Sequence, residues 1–439
     1  MNSIALDTIS VDENTVRYEF THPSRLRRFF SGEDLLVEYD VSMEDVPDGI
    51  LAVVWLSNVC PIAWATGTDV RVPRLDTTFA RAIPRVGRAF EEMYPDLVNE
   101  STITVAEAET TAHSPGESNR SAMLFSGGVD SVATYYRHRD EAPLLISVHG
   151  HDVSLADTDG WAKRREIIEG FATARALDTR YVSANIGSFQ EPFLLYAHFG
   201  SGLYSDWIDA VHLGLGLTGL CAPLTYTEDI GRLYVADSIH RLHVESAVDE
   251  VANHPSVIRE IAWDGTRVEN DGYPLTRQEK IDLIAEELGD DPLELHVCLE
   301  SATTNCSRCE KCLRTAFPLV LAGLDPNDYG FDIDADSFAY AREQFESGSW
   351  RIDAGRIPSW VDIQNAARRR KDTVEFDSPE AEAFFEWIAT VDVDEFEESQ
   401  RQVGRRLLRT AARNTPYPVY RRAKNADRVV SLATKLLNR

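Results

Sequence analysis

Residues 126–131, Ser126, Gly127, Gly128, Val129, Asp130 and Ser131, form the stretch of this sequence best suited to hold an anion. Two adjacent glycines let the backbone approach a charged group closely and adopt positive φ, and the hydroxyls of Ser126 and Ser131 add hydrogen bonds. Asp130 would repel a phosphate unless a divalent cation lay between them, which points to Mg²⁺. A second set of reactive side chains is Cys298, Cys306, Cys309 and Cys312, spaced Cys-x7-Cys-x2-Cys-x2-Cys. Two-residue gaps turn successive thiolates onto one ion, and Cys298 can close a tetrahedral site across a short loop. The pattern therefore predicts a structural Zn²⁺, with an iron–sulfur cluster as the competing occupant. Arg308, Lys311 and Arg314 lie within the cluster and are expected to offset the thiolate charge.

The elements around residues 126–131 must position them. The apolar run 122–125 reads as a buried parallel strand, and 132–138 as the start of a helix. A strand, a glycine-rich turn and a helix start together aim backbone N–H groups and the helix dipole at a phosphate. Farther on, the pattern predicts a strand at 144–149, a helix at 163–177, a strand at 181–186, an apolar helix at 207–220 and a strand at 233–236. This alternation predicts an α/β fold, a doubly wound parallel sheet with ligands at the carboxyl ends of its strands. That rule selects three more loops, 149–152, 185–189 and 237–240, and makes His149, Asp237 and Ser238 candidate nucleotide contacts. His149 and His151 could share a metal, but no third ligand lies near them in sequence. Gly214, Gly216 and Gly219 match G-x-G-x-x-G inside the apolar helix, where close helix packing explains them better than a dinucleotide site.

Residues 126–131 resemble the phosphate-binding loop of the PP-loop ATP pyrophosphatases, whose signature is Ser-Gly-Gly-x-Asp-Ser. The resemblance implies the adenine nucleotide alpha hydrolase-like fold and cleavage of ATP between its α and β phosphates. AMP passes to an oxygen of the acceptor and is then displaced by a nucleophile. With the four cysteines added, residues 121–315 look like the 7-cyano-7-deazaguanine synthase family. That resemblance implies ATP, ammonia or an amine donor, a small-molecule acceptor activated at a carboxylate or amide-like oxygen, and a structural zinc. The segment 274–279 also resembles the family's, where a lysine stands in place of Arg277. Arg277 and Lys280 are therefore the candidates, with Asp130, for handling phosphate charge during catalysis. The family's chains lack anything like residues 1–110 or 330–439, and residues 236–240 differ from its Gly-rich segment, which points to a different acceptor. A tRNA sulfurtransferase carrying an iron–sulfur cluster and a non-catalytic nucleotide-binding module are the alternatives.

The chain has 439 residues, enough for two or three domains. Residues 1–110 read as an α+β region of their own, with strands at 15–20 and 35–39 and a helix at 77–93 capped by Asp76. Residues 111–120 read as a linker, 121–325 as the PP-loop domain, and 326–439 as a helical extension whose tail from 401 is basic. The net charge of −28 argues against general nucleic-acid affinity. Only six of the 44 Lys and Arg residues are lysine, and such an acid-rich, lysine-poor surface suits a cytoplasm of high salt, where self-repulsion is screened. The N-terminus lacks the basic start of a signal peptide, and the apolar run 50–65 reads as core, not as a membrane span. The basic tail is expected to contact the protein's own acidic body or a second copy in a homo-oligomer, with peripheral membrane contact as another option.

Overall fold

The computed structural model describes residues 2–110, 118–201, 203, 206–246, 251–273, 275–289, 291–350, 352–370, 372–396 and 409–424. Most of the expected linker at 111–120 lies outside the described residues, as do 401–408 and 425–439 of the basic tail. The strands are β1 Ser3–Asp12, β2 Thr15–Thr21, β3 Leu35–Tyr39, β4 Asp69–Asp76, β5 Ile103–Glu109 and β6 Ser121–Leu124. They continue with β7 Leu144–His149, β8 Thr179–Ala184, β9 Arg232–Ala236, β10 Ala262–Trp263 and β11 Thr266–Asp271. Among the described residues all eleven belong to one mixed, mostly parallel sheet, in the order β10-β11-β9-β6-β7-β8-β3-β2-β1-β4-β5.

The five central strands β11, β9, β6, β7 and β8 are mutually parallel. Chain order reverses at β6, which has β7 on one side and β9 on the other. A crevice therefore opens outside the carboxyl ends of β6 and β9, where doubly wound sheets bind ligands. The α/β class expected from the alternating pattern is what the sheet and its helices form.

Residues 1–110, expected to stand apart, instead extend this sheet. β3 pairs antiparallel with β8, with Val37, Glu38 and Tyr39 opposite Ala184, Ser183 and Val182. The physical reason is that β8 would otherwise leave a row of unpaired backbone groups at an edge. Asn185 completes the join: its Oδ1 accepts from Leu36 N at 2.9 Å and its Nδ2 donates to Asp34 O at 2.9 Å. The loop 185–189, expected to face a ligand, is occupied with this pairing.

The helix Asp48–Thr66 is buried at every residue from Gly49 to Ala65, as the reading of 50–65 as core requires. It lies against the apolar helical segment Ile208–Leu217, which is wound in wide π-type turns. Gly214 in that segment permits close approach: a Cβ there would lie 1.8 Å from Ala252 O. Asp48–Thr66 and the longer helical stretch Ile208–Thr227 that includes this segment are long and apolar enough to cross a membrane, yet 94% and 78% of their apolar windows are buried within the protein. Together with Ile4, Val16, Val37, Leu144 and Val182 they form one core crossing the 110/121 boundary. A second core lies under the helices Val129–His138, Thr158–Ala174, Arg277–Glu287 and Glu310–Leu321.

The described part of 326–439 is helical, with a core of its own that includes Phe338, Phe345, Trp360, Phe384 and Phe385. This core also takes in Leu313, Phe317 and Leu321, so it is anchored on the helix that follows the cysteines. The described part of the basic tail docks on the protein itself. Arg28 donates to Ala412 O at 3.2 Å, Tyr417 Oη donates to Phe30 O at 3.2 Å, and Tyr420 stacks on Phe193.

Candidate functional site

The loop 126–131 leaves the carboxyl end of β6 and turns directly into the helix Val129–His138. Gly127 has φ +75°, a conformation that favours glycine. Gly128 precedes the helix, and no side chain caps its N-terminus. Each loop carbonyl is tied back by a donor. Arg164 Nη1 donates to Ser126 O at 2.5 Å, His296 N to Gly127 O at 3.0 Å, and Ser131 Oγ to Gly128 O at 3.0 Å. Carbonyl oxygens repel an anion, so tying them back leaves the helix N-terminus to set the local potential.

The two glycines should respond differently to substitution. Gly127→Ala forces positive φ on a residue with a Cβ and is expected to cost about 1 kcal/mol in stability. At Gly128 a Cβ would meet nothing nearer than 3.4 Å, at Ser126 Oγ, so Gly128→Val is expected to fold with the parent's unfolding midpoint. Gly128 lines the cavity described below, so the valine is expected to abolish phosphate binding by occupying that space. Chemical denaturation and calorimetric ATP titration on both variants check this. A Gly128→Val protein that binds ATP like the parent contradicts the phosphate-loop reading.

Asp130 is the centre of an ionic cluster. Arg277 Nη2 donates to its Oδ2 at 3.1 Å and Lys280 Nζ to its Oδ1 at 2.8 Å. Residues 277 and 280 are three apart on the helix Arg277–Glu287, so both reach the same carboxylate. A capping box fixes that helix start: Thr276 Oγ1 accepts from Glu279 N and Glu279 Oε2 accepts from Thr276 N. Burial alone would raise the Asp130 pKa, but Lys280 and Arg277 outweigh it and hold the carboxyl well below its usual range. Lys280 also donates to Asp237 O, which joins the cluster to the carboxyl end of β9.

The residues around Asp130 do not fit the Mg²⁺ expected there. Both carboxylate oxygens already accept from cations, and a metal needs oxygen donors in place of ammonium and guanidinium groups.

A cavity of 390 Å³ opens beside the loop. Ser126, Gly128, Val129, Asp130 and Arg277 line it, while Lys280 lies beneath Asp130 and is not among the lining residues. The segment 296–302, joined to the loop where His296 N donates to Gly127 O, forms another part of the wall, with Arg164 and Lys311 alongside. The sequence reading did not single out Arg164 or His296, and it gave Lys311 another role. Arg164 Nη2 donates to His296 Nδ1 at 2.7 Å, so that nitrogen is the acceptor and the imidazole proton sits on Nε2. Burial and the adjacent guanidinium lower the pKa of His296 to about 4 and keep the ring neutral.

Two of the expected nucleotide contacts serve other purposes. His149 Nε2 hydrogen-bonds Ser154 O at 3.0 Å and its ring stacks on Trp161, so it holds the 149–154 turn and does not line the cavity. Asp237 is fully buried; burial pushes its carboxyl up to about 7, and it accepts from Ile239 N, Asn253 Nδ2 and Asn270 Nδ2. It therefore braces the β9 loop from within. Ser238 is exposed beside it and outside the cavity lining.

The four cysteines come together as their spacing implies, with all four Sγ atoms within 4.8 Å of one another. Cys298 and Cys309 Sγ are 3.9 Å apart, and Cys306 and Cys312 Sγ 4.0 Å. A disulfide would require about 2.05 Å, whereas four sulfurs about 2.3 Å from a shared Zn²⁺ lie near 3.8 Å from each other. The cluster therefore fits a metal ion such as zinc. The three basic residues expected to offset its charge do not act together. Arg308 covers the Tyr340 ring at 5.2 Å, Arg314 pairs with Glu310 at 2.8 Å, and Lys311 lines the cavity.

Comparison with family models, with curated proteins and with solved structures gives no match.

Proposed function

We propose that the protein is an ATP-dependent adenylating enzyme, forming AMP and pyrophosphate. It activates a carboxylate or amide-like oxygen of a small molecule for attack by ammonia or an amine. The observation that carries this reading is the loop 126–131 at the chain reversal of the sheet, with Arg277 and Lys280 gathered on its Asp130. The N-terminus of the helix Val129–His138 favours the negative charge of phosphate. Arg277, held at the cavity wall by Asp130, is placed to oppose charge that builds on a phosphoryl oxygen. Lys280, buried behind it, sets the potential of the loop without touching the ligand. The work of the protein is mainly to position reactants and stabilise charge.

The zinc is assigned a structural role because four cysteines leave no open coordination position. Sulfur transfer is the weaker reading, since it needs a further reactive cysteine. The two cysteines outside the cluster, Cys60 and Cys221, are fully buried and burial raises both thiol pKa values. We assign the protein to a high-salt cytoplasm on its charge composition.

Incubation of the full chain with MgATP, ammonia and a panel of small carboxylic acids and amides is expected to release AMP and pyrophosphate in equal amounts with one of them. ATP hydrolysed to ADP, or ATP bound without release of AMP under any condition, overturns the reading.

A further inference from the structure

The cavity wall beside the loop carries two cations, Arg164 and Lys311, that form no ion pair among the described residues. Arg164 is 8% exposed, and its hydrogen bonds among the described residues go to neutral acceptors, Ser126 O and His296 Nδ1. Lys311 lines the same wall and has no ion-pair partner among the described residues. The exposed Asp152 acts on both through space and Asp130 on Lys311, yet Asp152 is bound to His151 at 2.9 Å and Asp130 to Arg277 and Lys280. Two buried atoms here also lack partners among the described residues, Arg164 Nε and His296 Nε2. Of the carboxylates that line the cavity, Asp152, Asp157 and Glu300 are exposed, and the half-buried Asp130 is already paired with Arg277 and Lys280. An uncompensated buried cation is costly unless an anion joins it. The chain also uses lysine only six times, and two of those six are Lys280 and Lys311.

We propose that Arg164, His296 and Lys311 form a second anion subsite, which takes the carboxylate or phosphoryl group of the acceptor molecule. Lys311 supplies a charge and Arg164 a fork of donors suited to a planar or tetrahedral oxyanion. The neutral His296 holds the guanidinium in place through Nδ1. The proposal rests on the adenylation reading only in treating the loop 126–131 as the first anion site.

The test titrates inorganic pyrophosphate into the zinc-loaded full chain by calorimetry at constant ionic strength. The parent is expected to bind two equivalents. Gly128→Val should lose the loop site alone. Lys311→Met should weaken the other site alone about tenfold or more, the loss expected for one charge-assisted hydrogen bond, and Arg164→Gln should weaken it as much while also freeing the Ser126 carbonyl of the loop. With ATP saturating the loop, one pyrophosphate should still bind. Displacement of that remaining anion by benzoate identifies a carboxylate acceptor and by inorganic phosphate a phosphorylated one; either supports the subsite. Loss of both sites on adding ATP assigns the cations to the nucleotide's own phosphates and overturns it. So does parent-like binding in Arg164→Gln, a variant remote in sequence from the cysteines and checked for zinc content and circular dichroism. Because no turnover is required, two-site binding would stand even if AMP were never formed.

Discussion

Replacing Cys309 by alanine is expected to empty the four-cysteine site and to unfold the region around it. Cys309 immediately precedes the helix Glu310–Leu321, and Cys298 lies two residues after His296 on the cavity wall. A metal on the four sulfurs thus clamps the cavity wall to a helix. That helix carries Lys311 toward the cavity and Leu313, Phe317 and Leu321 into the core of the C-terminal helices. Structural zinc in small peptides contributes about 10–16 kcal/mol of apparent binding free energy at neutral pH. Even a fraction of that exceeds an ordinary core substitution, so a loss of about 4 kcal/mol or more is expected. Metal analysis should give one zinc per chain for the parent and almost none for the variant. A denaturation profile should move to lower denaturant, and a chelator should reproduce the shift in the parent. Full zinc and an unmoved profile in Cys309→Ala would refute the clamp. Iron in place of zinc, with absorption near 400 nm, would favour the cluster-bearing sulfurtransferase alternative.

How much of this was legible depended on whether a signal was local. The helix Thr77–Met93 has the expected limits because Asp76 Oδ1 accepts from Phe79 N at 2.7 Å and caps it locally. The helix expected at 163–177 begins earlier, at Thr158, because Asp157 caps a polar first turn that hydrophobic periodicity cannot register. The strand expected at 181–186 ends at Ala184, since Asn185 turns its side chain to the backbone of Leu36. β4 escaped notice because Pro73 interrupts its alternation, and β11, Thr-Arg-Val-Glu-Asn-Asp, because it is mostly polar. The cysteines and residues 126–131 were legible as compact motifs. Arg164, His296 and Lys311 were not, because single residues far apart in sequence meet only through the tertiary fold. The same blindness set residues 1–110 apart: the pairing of β3 with β8 leaves no mark in either strand.

Removing the charge of Asp130 should damage the fold as well as the chemistry. Its carboxylate is the ion-pair partner of Lys280, whose side chain is 2% exposed, and of Arg277, whose side chain is 9% exposed. Asp130→Ala leaves both cations buried without it, a change that costs about 3–5 kcal/mol when one member of a buried pair is lost. Asp130→Asn keeps the shape and part of the hydrogen bonding and should lose less. Adding Lys280→Met to Asp130→Ala removes one of the stranded charges, so the double variant should regain stability over Asp130→Ala alone. It should not regain AMP formation, because the arrangement holding Arg277 is still missing. The pH dependence has a definite sign. Asp130 titrates below its unfolded value of about 3.9, so its stabilising contribution is complete above that pH and falls as pH drops toward the folded value. Acid unfolding should therefore be steeper in the parent than in the double variant. Denaturant titrations of the four proteins at neutral and acid pH, with AMP assays alongside, measure both effects. If Asp130→Ala unfolds at the parent's midpoint and the double variant is less stable still, the cluster is not a coupled ionic unit, and Asp130 must act on the ligand directly.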